Sequence, residues 1–229
     1  MEIKIAGHDA FIVYFADKTS VEVSALIQAA VNNLNVQMPE LLVDLVPSYA
    51  SLLVIYDINF CDHFEALKRI KLALSELNTM NTVSGKLITL PVYYSTESGP
   101  DLSVIAEQAN LSIEEVIDIH QQEEYLVYTL GFAPGFAYLG EVDPRIAAPR
   151  LTEPRLKVPR GSVAIADRQT AVYPASSPGG WNLIGLCPTR MFDPDKNPTM
   201  PVQVGDRVQF KAIDYDKFLL LSGELDGKL

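Results

Sequence analysis

The chain of 229 residues lacks the signals of a membrane or exported protein. No stretch offers the roughly 20 consecutive apolar residues that a spanning helix requires. The N-terminal sequence "MEIKIAGHDAFIVYFADK" is interrupted by charges and has neither a basic start nor a continuous apolar core. The uncharged stretch "YPASSPGGWNLIG" contains prolines and glycines that break a helix. We therefore expect a soluble, cytoplasmic protein that does not contact a membrane.

Thiols and imidazoles are scarce. The two cysteines, Cys61 and Cys187, supply neither a disulfide framework nor a metal-binding set. The three histidines fall in separate segments, and the sequence has no G-x-S-x-G elbow, phosphate-binding P-loop, H-E-x-x-H or C-x-x-C motif. We expect no metal site, and the sequence assigns no catalytic residue. If ATP is used, we expect its phosphate-binding loop to lie on another polypeptide.

Positive charge is also in short supply, since 18 Lys and Arg face 29 Asp and Glu and the formal net charge is −11. Not one basic residue lies between Lys86 and Arg145, a stretch whose two short helical patterns resemble a helix-turn-helix. An acidic recognition helix cannot neutralise phosphates, so we expect no nucleic-acid binding. We interpret the two patterns as a helical hairpin that packs against the protein.

One basic segment stands out in this acidic chain. Residues 145–168 carry six Lys or Arg against two acidic residues, a local charge of +4. Such a segment suits the binding of a small carboxylate or phosphate. The alternative is a solvated loop whose cations pair with acidic neighbours.

Residues 1–86 have the pattern of a small α+β domain. Short apolar runs on either side of Gly7 and of Pro47 predict two β-hairpins. A helical pattern follows each hairpin. The order of strands, helix, strands and helix fits a ferredoxin-like sheet with helices on one face.

The two helices of this domain have recognisable starts. Thr19 and Glu22 have capping-box spacing, and apolar residues then recur with helical period over 23–34. Asp62 is placed to cap the second helix. The side chains of the second helix that we expect to face inward are Phe64, Leu67, Ile70, Leu74 and Leu77.

The polar, turn-rich segment 78–86 predicts a domain boundary, so that residues 87–229 form a second domain. After the strand "LITLPVYY" come the two short helices, the second of them capped by Ser112 with Glu115. The rest of the domain is rich in short apolar runs separated by proline and glycine. Many short strands with such corners indicate a β-barrel or sandwich.

Four stretches follow one another as they do in a known family: "GPDLSVIAEQANLS", "YTLGFAPGFAYLG", "VPRGSVAIADRQTAVYPASSPGGWNLIG" and "MFDP". On these motifs the chain resembles the allophanate hydrolase subunit 1 family over nearly its whole length. Bacterial members of that family include the B subunit of 5-oxoprolinase and the kinase-inhibitor protein of sporulating bacilli. The chain departs from the family pattern at Ala137, Leu186 and Cys187.

The resemblance implies a small α+β N-terminal domain followed by a cyclophilin-like β-barrel. It also implies an ATP-dependent complex of three subunits that opens 5-oxo-L-proline to L-glutamate. This chain would be the B subunit, with the A and C subunits as partners and the C subunit in direct contact. Two alternatives remain open: a protein that binds and inhibits a sensor histidine kinase, and a part of a biotin-dependent carboxyltransferase or allophanate hydrolase-like system.

Given that substrate, we expect a pocket at the barrel mouth, shared with a partner subunit, that binds a small lactam acid. The loop "SPGGW" would form its lip. The expected aromatic walls are Phe132, Phe136, Tyr138 and Trp181. The expected polar contacts are Arg160, Ser162, Gln169 and Asn182. The alternative is that these stretches are tight barrel corners around an aromatic core and that Arg160 is a solvated surface residue.

Overall fold

The structure is a computed structural model that describes residues 1–75, 77 and 85–222. Its internal contacts divide the chain into two compact units, Met1–Ser84 and Gly85–Leu229. Most of the segment 78–86, where the sequence predicts the boundary, lies outside the described residues. The domain limits of 1–86 and 87–229 therefore stay a prediction, and each unit is described by itself.

The first unit is a four-stranded antiparallel sheet with two helices. Its elements are β1 (Glu2–Ile5), β2 (Ala10–Tyr14), α1 (Val21–Gln37), β3 (Leu42–Pro47), β4 (Ser51–Tyr56) and α2 (His63–Ser75). The strand order β1-β2-β4-β3 is that of a ferredoxin-like sheet in which the usual last strand comes first in the chain. Both predicted hairpins are thus confirmed.

The cap of α1 differs from the prediction by one residue. Ser20, rather than Thr19, precedes the helix, and its Oγ accepts a hydrogen bond from the Val23 N–H at 3.2 Å. The Thr19 hydroxyl donates instead to the Tyr49 carbonyl at 3.1 Å. Both residues can cap a helix, so the sequence alone did not distinguish them.

Helix α2 begins as predicted, since the Asp62 carboxylate accepts from the Glu65 N–H at 2.9 Å. Ile70 and Leu74 are buried as predicted. The prediction that Phe64 faces inward was wrong, because Phe64 is 84% exposed. Ala66 takes the inward position in the first turn. A residue two positions away lies about 200° around the helix axis, which places Phe64 on the outer face.

The second unit is built mainly from short strands. Its elements are β5 (Leu87–Val92), α3 (Leu102–Ala109), α4 (Ile113–Gln122), β6 (Tyr125–Leu130), β7 (Ala137–Gly140), β8 (Arg155–Val158), β9 (Ser162–Ala166), β10 (Gln169–Val172), β11 (Ser177–Gly179), β12 (Asn182–Leu186), β13 (Arg207–Ala212) and α5 (Tyr215–Ser222). The predicted capping box of α4 is confirmed, with Ser112 and Glu115 exchanging side-chain and backbone hydrogen bonds. None of the helices in the described ranges is long and apolar enough to cross a lipid bilayer.

Seven of these strands form the predicted barrel, in the order β12-β9-β10-β7-β6-β13-β5. Tyr93, just after β5, and Leu186, in β12, close the sheet on itself by exchanging two backbone hydrogen bonds of 2.8 and 2.9 Å. Closure removes most of the exposed strand edge that an open sheet would present. The predicted α+β fold with a barrel-like second unit is therefore confirmed.

A separate two-stranded ribbon pairs β8 with β11. The sequence predicted a loop at "SPGGW", but Ser177–Gly179 is strand β11 of this ribbon. The ribbon packs through Val158 on one face of the barrel sheet, where Ala164, Ala166 and Ala171 leave room for it. The opposite faces of the same strands, including Val163 and Ile165, belong to the main barrel core.

A buried polar network crosses the barrel core at His120, on α4. Its Nδ1 lies 2.7 Å from the Tyr94 hydroxyl and its Nε2 lies 3.0 Å from the Thr170 hydroxyl. The Tyr125 hydroxyl donates to the His120 carbonyl at 2.8 Å. Burial lowers the pKa of His120 to about 3, so the imidazole is neutral and can donate from one nitrogen and accept at the other. The network therefore ties α4 to strand β10.

Candidate functional site

An aromatic cluster lies on the ribbon-covered face of the barrel sheet. The Phe136 ring centroid is 4.9 Å from that of Tyr138, 5.4 Å from Tyr173 and 5.7 Å from Trp181. Phe136, Tyr173 and Trp181 are buried, while Tyr138 is partly exposed. Three of the four aromatic residues predicted as walls are thus in mutual contact, and Tyr173 joins them.

The fourth predicted wall residue, Phe132, occupies a different setting. Its ring stands edge-on to Phe136 at 5.2 Å, yet 66% of the residue is exposed. Its backbone φ is +70°, in the left-handed region that aromatic residues seldom adopt. The loop therefore holds an exposed aromatic ring at the rim of the cluster at some cost in backbone energy.

Asn182 is a structural contact of the site. The residue is buried, and its side-chain amide donates to the carbonyls of Pro149 and Ile165 at 2.8 and 3.1 Å. Both amide hydrogens are thus engaged by backbone carbonyls. They fix the segment before β8 against β9, beside Trp181.

The remaining predicted polar contacts are spread along β9. Ser162 is fully buried at the start of the strand, and Arg160 precedes it by two residues. Gln169 pairs with Ala166, at the other end of the strand. Those ends are roughly 13 Å apart at the usual rise per residue. The structure therefore does not bring Arg160 and Gln169 together.

Arg160 lies near the buried thiol of Cys187. Burial raises the pKa of that thiol to about 11, hydrogen bonds involving Thr189 oppose the shift, and the Arg160 charge opposes it more weakly. A thiol with a raised pKa is protonated near neutral pH and is a poor nucleophile. Cys187 therefore belongs to the core and not to a catalytic set.

Arg150 and Arg155 lie beside the aromatic cluster, although no motif in the sequence marked either as a site residue. The Arg150 guanidinium carbon is 5.7 Å from the Trp181 ring centroid, a cation–π contact. Arg155, on the ribbon, pairs through its backbone with Gly179. The sequence signal that could have found them was the local charge of +4, which does not by itself rank its six members.

Arg155 is held by a carboxylate distant in sequence. Its Nη2 donates to Asp101 Oδ1 at 2.7 Å, and Asp101 Oδ2 accepts from the Leu183 N–H at 2.7 Å. The Nη1 atom of Arg155 is shielded from solvent and has no hydrogen-bond partner among the described residues. Asp101 therefore fixes one nitrogen of the guanidinium and leaves a second donor group unsatisfied.

The Tyr173 hydroxyl lies within the electrostatic influence of both Arg150 and Arg155. Burial raises the pKa of its hydroxyl, whereas the charge of Arg150, a hydrogen bond with the Trp181 backbone and the charge of Arg155 act in the opposite direction. Gly179 passes so close that a Cβ added there would lie 2.3 Å from the Tyr173 hydroxyl oxygen. Two cations and a buried hydroxyl thus lie beside an aromatic wall, a combination suited to a small anion.

Two other cations of the basic segment have local partners. Arg145 Nη2 lies 2.8 Å from an Asp143 oxygen, and Arg168 Nη2 lies 2.8 Å from a Glu141 oxygen. These exposed pairs fit the alternative of a solvated loop. Within residues 1–75, 77 and 85–222, no group of three or more His, Cys, Asp or Glu side chains could hold a metal ion.

The family described as "Carboxyltransferase domain, subdomain C and D" matches residues 1–202. Proteins named as the B subunit of 5-oxoprolinase are similar over most of the chain. The one from Bacillus subtilis (strain 168) is 40% identical over 222 residues, which are 93% of this chain and 92% of the relative. The one from Escherichia coli O157:H7 is 39% identical over 175 residues, 76% of this chain and 79% of the relative.

Solved structures share the fold. The crystal structure of TTHA0988 has a TM-score of 0.79 and 35% identity, covering 90% of this chain but only 40% of that longer chain. The conserved uncharacterized protein PH0987 from Pyrococcus horikoshii has a TM-score of 0.57 and 46% identity, covering 95% of this chain and 100% of that one. The K. lactis urea amidolyase has a TM-score of 0.75 at 17% identity, covering 95% of this chain and 15% of that enzyme, which is a likeness of fold alone.

Proposed function

Because the chain belongs to the carboxyltransferase-domain family of subdomains C and D, and its relatives include proteins named as the B subunit of 5-oxoprolinase, we propose that it is the B subunit of a 5-oxoprolinase. The reaction we assign to the complex is the ATP-dependent opening of 5-oxo-L-proline to L-glutamate. The use of ATP is our reason for placing the complex in the cytoplasm.

The observation that carries this proposal at the level of the site is the meeting of two arginines with the aromatic cluster. Arg150 lies over the Trp181 ring. The positive charge of Arg155 lowers the pKa of the Tyr173 hydroxyl against the rise caused by burial. A lactam acid presents a carboxylate, which arginine binds well, and a compact apolar ring, which aromatic walls shield from water. The proposed substrate therefore matches the mixture of groups in this cluster.

The chain is proposed to act only with its partners. Its sequence contains no P-loop to hold ATP, and its buried Cys187 is not an activated nucleophile. We assign ATP binding to the partner subunits A and C, of which the C subunit contacts this chain directly. Transfer of the terminal phosphoryl group of ATP to the lactam oxygen would release ADP and activate the ring carbon. Hydrolysis would then break the ring C–N bond and release inorganic phosphate with L-glutamate, and fixed donors would stabilise the negative charge that develops on oxygen.

Reconstitution tests the proposed function. The chain is purified, and 5-oxoproline-dependent ATP hydrolysis is measured for the chain alone, for the A and C subunits together, and for all three. We expect turnover only in the complete mixture. Robust turnover by the isolated chain, or no stimulation when it is added to the other two, would contradict the proposal.

Gene deletion separates the proposed enzyme from the alternative functions. Loss of a 5-oxoprolinase component should cause 5-oxoproline to accumulate. Unchanged 5-oxoproline with altered histidine-kinase signalling would favour the kinase inhibitor. Loss of a biotin-dependent carboxylation or of allophanate hydrolysis would favour the carboxyltransferase-like system.

Paired substitutions test the position of the pocket. Trp181→Ala removes the wall under Arg150, and we expect catalytic efficiency to fall roughly 10- to 100-fold once folding and assembly are verified. Arg160→Ala tests the cation predicted from the sequence, which lies at the other end of β9. The matched control is Arg145→Ala, an exposed arginine that pairs with Asp143. Wild-type turnover by Trp181→Ala would show that the cluster is only a corner of the barrel.

A further inference from the structure

The guanidinium of Arg155 is held in one orientation by its neighbours. Asp101 holds Nη2 at 2.7 Å and is itself fixed by the Leu183 N–H, so the guanidinium plane is oriented before any ligand arrives. Nη1 is shielded from solvent and lacks a hydrogen-bond partner in the described part of the chain. A buried donor atom without a partner is costly, and a bound anion would satisfy it.

The surroundings of Arg155 add a second cation and neutral donors. Its backbone neighbour across the ribbon is Gly179, whose backbone lies against the Tyr173 hydroxyl. Arg150 approaches the same tyrosine from the Trp181 side. A carboxylate placed here would meet Arg150 and the open Nη1 of Arg155, whose Nη2 already pairs with Asp101. Arg168, an exposed cation of the same segment, pairs with Glu141 at the surface.

We propose that Arg155, oriented by Asp101, binds the carboxylate of the small-molecule substrate together with Arg150. This inference rests on the proposed function for the identity of the substrate. It adds that the Arg155 guanidinium recognises the carboxylate of that substrate. The guanidinium presents a planar pair of nitrogens, of which one holds Asp101 and the other receives the ligand. The contact gives specificity, because a neutral lactam of the same ring size would offer no anion to Arg150 or to the Nη1 of Arg155.

Nη1 is shielded from solvent, so the atoms that cover it must move before a ligand reaches it. A carboxylate bound at Nη1 would leave the Arg155–Asp101 ion pair in place, because that pair uses Nη2.

The conservative substitution Arg155→Lys is the first test. Lysine keeps the charge and can still pair with Asp101, but it lacks the second, coplanar nitrogen. In the complete complex we expect the KM for 5-oxo-L-proline to rise about tenfold or more, with kcat changed less. Arg168→Lys is the matched control, since Arg168 pairs with Glu141 at the surface. It should leave both constants unchanged.

A neutral analogue separates a carboxylate contact from a general structural defect. Wild-type complex should be inhibited by L-glutamate and by 5-oxo-L-proline analogues that keep the carboxylate far better than by 2-pyrrolidone, which lacks it. Arg155→Lys should lose most of this preference while melting at the wild-type temperature. An unchanged KM, or an unchanged preference for carboxylates, would overturn the proposal.

A binding experiment keeps this inference separate from the proposed reaction. Trp181 is the only tryptophan of the chain and lies in the cluster, so its fluorescence reports on ligands there. The full chain is titrated with 5-oxo-L-proline and with 2-pyrrolidone. A change with the acid alone that Arg155→Lys weakens about tenfold supports the contact even if the complex has no 5-oxoprolinase activity. No change with the acid, or equal responses of both proteins, refutes it.

Discussion

Lowering the pH from about 8 to about 5 should destabilise the barrel unit by about 2 kcal/mol through the single side chain of His120. The imidazole is fully buried between Tyr94 and Thr170, and burial lowers its pKa from 6.5 to about 3. Between pH 6.5 and about 3, His120 therefore binds a proton in the unfolded chain but not in the folded barrel. The stability that this neutral histidine preserves is complete above pH 6.5 and is lost as the pH falls toward about 3.

The magnitude follows from the interval between the two pKa values. Each pH unit below 6.5 costs about 1.4 kcal/mol until the folded pKa is reached. At about pH 5, some 1.5 units below the unfolded value, the loss is about 2 kcal/mol, and at about pH 4 it is about 3 kcal/mol. Both losses are large against the 5–15 kcal/mol that typically separates folded and unfolded states.

The assay uses urea unfolding followed by tryptophan fluorescence. Because Trp181 is the only tryptophan and lies in the barrel unit, the signal reports on the unit that contains His120. His120→Gln keeps a donor and an acceptor but cannot be protonated, so its unfolding free energy should change with pH by about 2 kcal/mol less than that of the wild type. His8→Gln, which alters an exposed histidine of the first unit, is the control.

The comparison between proteins isolates the histidine. Carboxylates that titrate over the same range are common to wild type and variant, and their contributions cancel in the difference. If wild type and His120→Gln lose the same unfolding free energy between the two pH values, the assignment of the pH dependence to His120 is refuted.

Three further predictions concern packing, capping and the domain boundary. Gly179→Ala places a methyl group 2.3 Å from the Tyr173 hydroxyl oxygen, so the ribbon must shift, and urea unfolding should show a loss of roughly 1–3 kcal/mol; a wild-type midpoint would contradict this. Ser112→Ala removes the cap of α4 and should cost about 1 kcal/mol in the same assay, whereas Ser103→Ala, at an exposed helical position, should cost clearly less. Limited proteolysis should cut within 78–86 and release two resistant fragments, and mass spectrometry showing first cuts elsewhere would argue against that boundary.

Elements whose information is local were predicted well. The helix α4 and its capping box follow from the four residues Ser112–Glu115, and the antiparallel hairpins of the first unit follow from apolar runs around short turns. Phe64 shows the limit of the same reasoning. Its apolar side chain led us to expect burial. The side chain is exposed because another face of α2 packs against the sheet.

The candidate site depends on contacts between residues that are far apart in sequence, so the sequence alone could not assemble all of it. The aromatic residues were recognisable because Phe136 and Tyr138 lie within one short motif and Trp181 is unique. Arg155 was not distinguished from its basic neighbours, since its partner Asp101 precedes it by 54 residues. The ribbon was missed for the same reason, because a proline-glycine stretch indicates a turn until its partner strand is known.

The parallel pairing of β5 with β13 has a consequence for how the chain is made. Leu87–Val92 lie beside Arg207–Ala212, so the first strand of the barrel is synthesised long before the strand that covers its edge. A ribosome that has reached residue 200 carries a barrel that lacks the strand between β6 and β5, so the edge of β5 that β13 covers is still unpaired. The first unit, whose strands pair only with one another, has no such delay. Stalled or prematurely ended translation would therefore leave strand edges of the second unit unpaired, and unpaired strand edges promote aggregation.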